Sequence, residues 1–283
     1  MRKNKLKEIF RTPNKVATSG WLHIPNSWTA EIMANAGWDC VTVDMQHGLM
    51  DFETAMQMMQ AISTTEAVPL ARSLWNEPSG IMRLLDSGAY GIICPMVNSR
   101  AECEAFVGAC RYPPEGYRSL GPTRAKVYGG ADYGEHANAE ILTFAMVETK
   151  ESVENIEEIV TVAGLDAIFI GSGDLKLSYT GKATHVGQSE EFDKAVETVL
   201  ESCKKHNVVP GIWCATIEDA QLRKLQGFRF IALKSDSMML IEYNGKLANE
   251  MNKMWKHPLS IYRKLRLKTT KTTWFSRKIL IMD

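Results

Sequence analysis

Apolar runs alternate with amphipathic stretches along most of the chain. The apolar runs have the length and character of buried strands. We predict eight strands, at residues 16–22, 40–46, 67–72, 91–96, 142–148, 166–171, 208–214 and 228–234. Stretches with helical spacing separate most of these strands, at residues 27–36, 51–64, 78–87, 99–110, 150–162, 189–205 and 217–226.

This alternation predicts parallel pairing, because a strand reaches a parallel neighbour only through a crossover connection. The predicted strands are mostly apolar on both faces, as expected for a sheet that is covered on both sides. Eight such units fit a (β/α)8 barrel, the TIM-barrel fold of the α/β class, better than a doubly wound sheet. In these barrels the chemistry lies at the carboxyl ends of several strands, so polar residues at those ends are the candidate site.

One connecting segment, residues 112–140, is too long and too rich in glycine and proline to be a simple connector. Long loops of this kind are usually functional. We therefore predict a functional loop here.

Composition and cysteine use indicate a cytoplasmic protein. The chain is 45% hydrophobic and 23% charged, which is ordinary for a globular protein with a sizeable core. Its cysteines form no CxxC pair and sit mostly in apolar context, which predicts reduced core residues, at positions 40, 94, 103, 110, 203 and 214. The amino terminus lacks the apolar region of a secretory signal, and no apolar stretch is long enough to span a membrane.

The carboxyl-terminal tail carries most of the charge imbalance. From residue 246 to 283, ten Lys or Arg stand against two acids, so this segment is +8 although the whole chain is neutral. We predict a barrel at 1–245 and a basic helical extension at 246–283. Trp274 and Phe275 among basic residues could suit a membrane surface or RNA. A solvated terminal helix or a subunit contact is the commoner explanation, so we expect no nucleic-acid partner.

Several predicted strands end in polar side chains. Most are side chains that can bind an anion, hold a metal or move a proton. The residues at these strand ends are Asp44, Gln46 and His47 after the second strand, Arg72 after the third, Glu148 after the fifth, Gly171, Ser172, Gly173 and Asp174 after the sixth, Trp213 at the seventh, and Lys234 and Asp236 at the eighth.

Glu148 and Asp174 are hard oxygen ligands without a nearby cysteine or histidine cluster, which favours Mg²⁺ or Mn²⁺ over zinc. Two carboxylates leave most of an octahedral shell to water and substrate. The structural alternatives are an acid at a helix amino terminus for Glu148 and an N-cap for Asp174.

Arg72 offers a planar, permanently charged fork for a carboxylate or an enolate oxygen. Its structural alternative is a salt bridge across the barrel mouth. His47 can move a proton near neutral pH, although a lone histidine is more often a hydrogen-bonded structural residue. We interpret Asp44 and Gln46 as supporting residues that fix their neighbours and ordered water.

Five segments in this order, GWDCVTVDMQHG, ARSLWN, RYPPEGYRSLGP, MVET and IFIGSGDL, resemble the HpcH/HpaI aldolase family. The resemblance runs from about residue 5 to about residue 245. It implies a metal-dependent class II pyruvate aldolase on a (β/α)8 barrel, a lyase that cleaves a 4-hydroxy-2-oxo acid into pyruvate and an aldehyde. It also implies a trimer or hexamer with sites near the subunit contacts.

The resemblance implies a role for each matching residue. Glu148 and Asp174 would hold the divalent metal, which the 2-oxo acid would chelate. Arg72 would bind the keto oxygen and stabilise the enolate. His47 would take part in proton transfer at the 4-hydroxyl, and Asp86 lies at the place of an acid that orients this histidine.

Backbone groups around Gly171, Ser172 and Gly173 would touch the substrate carboxylate. The chain also departs from its relatives, since Gln46 replaces a frequent glutamate and Met146 a common glutamine. Ser172-Gly173 occupies the place of a Pro-Ala pair that is frequent in relatives, and Trp213 occupies the place of a smaller aliphatic residue. These departures leave the aldehyde half of the substrate open.

Three alternatives remain at this stage. A class I aldolase would use Lys234 for a Schiff base. A lyase of CoA esters, related to the citrate lyase β chain, shares the barrel and the metal, although the RYPP segment favours a free 2-oxo acid. An interaction protein would use the basic tail, but a pure scaffold has no physical reason to keep a set of catalytic side chains.

Overall fold

The computed structural model describes residues 1–183 and 189–256. In these residues eight parallel strands close into a barrel in chain order, and β8 pairs with β1. The strands are β1 (Ala17–Leu22), β2 (Cys40–Asp44), β3 (Val68–Arg72), β4 (Gly91–Cys94), β5 (Leu142–Val147), β6 (Ala167–Ile170), β7 (Val209–Cys214) and β8 (Phe230–Ser235). The predicted (β/α)8 barrel is confirmed, and every predicted strand lies within two residues of an observed one.

Helices alternate with the strands along most of the chain. They are α1 (Lys5–Arg11), α2 (Ser27–Ala34), α3 (Phe52–Ile62), α4 (Pro78–Asp86), α5 (Arg100–Cys110), α6 (Thr123–Gly129), α7 (Tyr133–Glu140), α8 (Lys150–Glu154), α9 (Ile156–Ile159), α10 (Ser172–Thr180), α11 (Glu190–His206), α12 (Ile217–Gln226) and α13 (Asp236–Lys256). The predicted helix at 150–162 is two short helices that meet at Asn155.

Polar caps fix where several of these helices begin. Asn26, Asp51, Glu77 and Ser99 each accept hydrogen bonds from backbone N–H groups of the following first turn. Such caps satisfy N–H groups that have no partner inside the helix. The caps therefore fix where each helix begins, shortly after the carboxyl end of the preceding strand in the chain.

Aromatic side chains fill the amino end of the barrel. Phe144, Phe169 and Phe230 face inward, with ring centroids 4.8 Å apart for Phe144–Phe230 and 5.6 Å for Phe169–Phe230. Phe10 of α1 packs against two of these rings at 6.4 and 6.5 Å. The guanidinium of Arg229 donates to carbonyl oxygens around the end of α1. Helix α1 thus closes this end of the barrel.

The segment 112–140 is not the irregular loop that was predicted, because it contains α6 and α7. It connects the end of α5 with the start of β5, which places it at the amino end of the barrel, away from the mouth of its own chain. Asn138 ties its two ends together, accepting from the backbone N–H of Tyr112 at 2.7 Å and donating to its carbonyl at 2.9 Å.

The chain separates into two compact units, Met1–Ser237 and Met238–Asp283. The first contains the whole barrel. The described part of the second is the continuation of α13 to residue 256. The predicted division between residues 245 and 246 stays a prediction, and Trp274 and Phe275 lie outside the described residues. Among the helices of the described ranges, none combines the length and the apolar character needed to cross a membrane.

Candidate active site

Asp44 is the centre of the polar groups in the barrel mouth. It ends β2, is fully buried, and accepts hydrogen bonds from Arg72 Nε at 2.7 Å and Arg72 Nη2 at 2.5 Å. Trp21 Nε1 and His23 Nε2 donate to its Oδ2 at 3.0 and 2.8 Å. Burial raises the pKa of Asp44, but the hydrogen bonds from His23 and Arg72 outweigh it and hold the pKa well below its usual range. Asp44 is therefore an ionised anchor.

The turn after β2 wraps around the same carboxylate. Oδ1 of Asp44 accepts from the backbone N–H groups of Gln46 at 3.0 Å and His47 at 3.3 Å. Oε1 of Gln46 is buried without a hydrogen-bond partner. The side chain of His47 is exposed, and no hydrogen bond joins its ring to another residue of the described ranges. Gln46 thus has a buried acceptor that no described residue satisfies.

Arg72 ends β3 and lies beside Asp44 in the sheet register. Its side chain is buried, and its guanidinium lies 5.2 Å from the ring centroid of Trp21. Nη1 lies 3.9 Å from Met146 Sδ. The salt bridge weighed as the structural alternative is present. It also fixes the guanidinium with one nitrogen, Nη1, outside the bidentate contact with Asp44.

Glu148 directly follows β5 and has one carboxylate oxygen without a partner. Its side chain is buried, Oε1 accepts from the Met96 backbone N–H at 2.8 Å, and Oε2 makes no hydrogen bond in the described structure. Burial, reinforced by the negative charge of Asp174, raises the pKa of Glu148 to about 7. Asp174 lies in the first turn of α10 and its side chain is exposed. The charge of Asp174 thus acts on the Glu148 carboxylate.

These groups fit a divalent cation with few protein ligands. A buried carboxylate oxygen without a partner is costly unless a hydrogen bond or a cation satisfies it. Gly171 leaves room for this oxygen, since a Cβ at position 171 would lie 2.4 Å from Glu148 Oε2. Among the described residues no group of three or more His, Cys, Asp or Glu could hold a metal. Two carboxylates with water and substrate suit Mg²⁺.

The start of α10 forms a cradle for an anion. Gly171 is the N-cap, and its backbone N–H donates to the Val147 carbonyl at 3.2 Å. Ser172 and Gly173 begin the first turn, where backbone N–H groups have no acceptor inside the helix and favour an anion. Ser172 Oγ donates to the Trp213 carbonyl at 2.8 Å, which joins the ends of β6 and β7. Trp213 is half-buried beside this cradle.

The structure does not bring Asp86 to His47 within one chain. Asp86 is the last residue of α4, which places it at the amino end of the barrel. There it accepts a 2.6 Å hydrogen bond from Nη2 of the fully buried Arg118. His47 lies at the opposite end, so a direct contact between them is contradicted for a single chain.

His23 is a residue of the mouth that the sequence analysis missed. It directly follows β1, and its backbone N–H donates to Asp236 Oδ1 at 2.8 Å. The available signal was an imidazole immediately after an apolar strand. Lys234, weighed as a Schiff-base lysine, is half-buried and has a left-handed backbone with φ 46°, which is uncommon outside glycine.

A TIM-barrel enzyme that handles an anion beside a metal ion has this kind of mouth. The sequence model of the HpcH/HpaI aldolase/citrate lyase family matches residues 19–242, and the chain belongs to this family. Divalent-metal dependence is typical of the family.

Named relatives narrow the reaction. A hydroxypyruvate/pyruvate aldolase of Rhizorhabdus wittichii is 40% identical over 225 residues, 79% of this chain and 89% of that protein. A 4-hydroxy-2-oxo-heptane-1,7-dioate aldolase of Escherichia coli is 32% identical over 225 residues, 78% of this chain and 84% of that protein. An HpcH/HpaI aldolase/citrate lyase family protein from Burkholderia cenocepacia has a solved structure with TM-score 0.82 and 27% identity, covering 88% of this chain and 100% of that one.

These comparisons confirm the predicted family, the fold and the reaction class. The chain is an aldolase, a carbon–carbon lyase.

Proposed function

We propose that the chain cleaves a 4-hydroxy-2-oxo acid into pyruvate and an aldehyde, using Mg²⁺ or Mn²⁺ held by Glu148 and Asp174. The observation that carries this proposal is the buried, unpartnered Oε2 of Glu148, which lies next to Gly171 in the mouth of the barrel. An ionised carboxylate in that position is stable only when a cation satisfies it. The raised pKa of Glu148, about 7, agrees with such a requirement.

Cleavage of the carbon–carbon bond leaves negative charge on the pyruvate fragment. A bound divalent ion supplies Lewis-acid stabilisation of that charge. Arg72 adds a fixed positive charge, and its rigid contact with Asp44 means that little reorganisation is needed during the reaction. In this proposal the keto oxygen lies against the guanidinium of Arg72.

The substrate carboxylate is proposed to lie on the backbone of Gly171, Ser172 and Gly173. The N–H groups of Ser172 and Gly173 lie in the first turn of α10, where the helix dipole favours a negative charge, while that of Gly171 donates to the Val147 carbonyl. The other half of the substrate then faces Met146 and Trp213. These two side chains are proposed to select the aldehyde.

His47 is proposed to move the proton of the 4-hydroxyl, with Gln46 fixing ordered water. Asp86 keeps its orienting role only across a subunit contact, because it lies at the other end of its own barrel. We therefore propose a homo-oligomer, a trimer or a hexamer, in which Asp86 of one chain serves His47 of another.

Mixed oligomers test this shared site. Chains with Asp86→Asn and chains with Arg72→Lys are each expected to be nearly inactive alone. Co-assembled, they contain some sites with an intact mouth from the first chain and an intact Asp86 from the second. Activity above the sum of the separate variants is expected, and its absence would remove Asp86 from the site.

A substrate screen tests the function as a whole. Five- to seven-carbon 4-hydroxy-2-oxo acids are supplied, and pyruvate release is followed through lactate dehydrogenase, with and without EDTA. We expect release that EDTA abolishes and Mg²⁺ or Mn²⁺ restores. No metal-dependent release from any of these acids would overturn the proposal.

Further assays separate the alternatives. Borohydride with pyruvate would trap a Schiff base if Lys234 were the catalytic group, and cleavage of a CoA ester alone would favour the citrate lyase type. Retention on liposomes or RNA that is lost on truncation after Lys246, with an unchanged cleavage rate, would reveal binding by the tail. We propose a cytoplasmic location and no nucleic-acid partner.

A further inference from the structure

His23 is held in one orientation at both its backbone and its ring. The backbone N–H of His23 donates to Asp236 Oδ1 at 2.8 Å, and that of Ile24 donates to Oδ2 at 3.2 Å. The ring Nε2 donates to Asp44 Oδ2 at 2.8 Å. The side chain is 28% exposed, so it lies at the rim of the mouth and is not a core residue. Two buried aspartates therefore fix an imidazole that the proposed mechanism does not use.

The carboxylate that His23 contacts is the one that holds Arg72. A bidentate pair of carboxylate and guanidinium requires the two planar groups to be aligned. Rotation of the Asp44 carboxylate would break one of the two hydrogen bonds, 2.7 and 2.5 Å long, that it accepts from Arg72. On Oδ2, the other donors that oppose this rotation are Trp21 Nε1 and His23 Nε2. Trp21 also packs under the guanidinium at 5.2 Å.

We propose that His23 is a positioning residue of the aldolase reaction, which acts through Asp44 to hold the Arg72 guanidinium in the orientation that stabilises the enolate. This inference rests on the proposed function and adds to it the residue that directly follows β1. The imidazole acts as a hydrogen-bond donor in a fixed position. This role does not require the ring to transfer a proton. Removal of a side chain that orients a catalytic group in this way typically lowers activity by about 10- to 100-fold.

The variants His23→Ala and His23→Gln separate positioning from proton transfer. The glutamine amide can place a donor where Nε2 stands, but it does not titrate near neutral pH. Alanine removes the donor. The matched control is His136→Gln, because His136 lies on α7 at the amino end of the barrel. Within residues 1–183 and 189–256, its one ion pair is with Asp132.

The assay is proton exchange at the methyl group of pyruvate in D₂O, with the metal-loaded enzyme, because this half-reaction needs the enolate and not the aldehyde. We expect His23→Ala to lower the exchange kcat about tenfold and to leave KM for pyruvate within about twofold. His23→Gln is expected to restore most of the rate, and His136→Gln to leave it unchanged. A glutamine variant as slow as alanine would show that His23 carries a proton, and a normal alanine variant would show that it does nothing; either result overturns the proposal.

A second readout does not depend on turnover. In ¹⁵N spectra the Arg72 Nε–H is expected to exchange slowly with solvent in the parent protein and in His23→Gln, and faster in His23→Ala. If the parent protein neither exchanges pyruvate protons nor cleaves a substrate, the proposed function fails, while these spectra still decide whether His23 fixes Arg72. Thermal unfolding of each variant checks that the fold is intact.

Discussion

Two buried glutamates bracket β5, and their surroundings differ. Glu140 lies just before the strand, where it accepts from Lys3 Nζ at 2.9 Å and from the Asn4 backbone N–H at 2.8 Å. Burial raises its pKa, but these contacts prevail and the pKa lies below its usual value. Glu148 lies just after the strand with one oxygen unpartnered, and its pKa is raised to about 7. The same side chain stabilises the fold at one end of the strand and is left available for a ligand at the other.

The rest of the barrel follows the same division. At the amino end, Arg111 Nη2 donates to Asp166 at 2.9 Å and to the Gly164 carbonyl at 2.8 Å, and the phenylalanine cluster fills the interior. At the carboxyl end, charged groups converge on an open mouth. In TIM barrels generally, the carboxyl ends of the strands carry the chemistry and the amino ends carry stability.

Exchanging each glutamate for glutamine should give the largest contrast. Glu148→Gln is expected to abolish metal-dependent cleavage, yet to stabilise the metal-free protein above pH 7 by on the order of 3 kcal/mol. The unfolded chain loses this proton near pH 4.5 and the folded chain near pH 7, so the stability of the metal-free parent falls across that window as pH rises. Urea unfolding at pH 5 and pH 8 measures the difference.

The matched variant Glu140→Gln should behave oppositely. It is expected to lower stability by about 2 kcal/mol at pH 7, because charged hydrogen bonds are lost, and to leave turnover unchanged. The contribution of Glu140 is present above the unfolded pKa and is lost as pH falls through the depressed folded pKa. Equal pH profiles for the two variants would contradict the comparison.

Arginines at the two ends give the next largest effect. Arg72→Lys keeps a positive charge beside Asp44 but loses the bidentate fork, so kcat is expected to fall by about 10²–10³-fold. Lysine is a sharper test than alanine here, because alanine would leave Asp44 buried without its charged partner. Arg111→Lys, at the amino end, should reduce the melting temperature without reducing kcat.

Gly171→Ala should have an intermediate effect. The new Cβ would lie 2.4 Å from Glu148 Oε2 and 2.7 Å from Met146 Cε, so the carboxylate must move. We expect metal affinity, measured by titration calorimetry, to fall about tenfold. Gly134→Ala is the control, since its Cβ would meet only Leu120 at 3.6 Å. An unchanged affinity in Gly171→Ala would argue against Glu148 as a ligand.

Phe10→Ala should have the smallest effect on the site. Removal of this half-buried ring from the amino end is expected to lower stability by about 2 kcal/mol, as cavity-forming substitutions do. At temperatures where the variant is folded, kcat and KM are expected to equal those of the parent. A changed kcat would show that the two ends of the barrel are coupled.

The strands were predictable because each is a short apolar run bounded by polar residues, and a barrel requires their inward side chains to be apolar. The placement of Glu148 and Arg72 at the mouth followed from their positions after two such runs. The helices α6 and α7 were not predicted, because glycine and proline in the segment hid their spacing. Both helices also make hydrogen bonds with the amino terminus, which is distant in sequence.

The sequence analysis did not foresee the position of Asp86 or the contacts of His23, for different physical reasons. Asp86 ends a predicted helix, and in this topology the ends of helices lie at the amino side of the barrel, so its distance from His47 could have been predicted. The proposed role of His23 depends on the orientation of the Asp44 side chain toward β1, and no local sequence pattern predicts that orientation.

The hydrogen bond between Ser172 and residue 213 has a practical consequence. Ser172 Oγ donates to the main-chain carbonyl of Trp213, so the bond that joins the ends of β6 and β7 does not require an indole. Side chains of other sizes at position 213 can therefore be tried with this bond in place and with Asp44 and Arg72 untouched. If Trp213 selects the aldehyde as proposed, position 213 is a place at which the range of aldehydes can be redesigned, or can drift during evolution, while the residues that break the carbon–carbon bond are preserved.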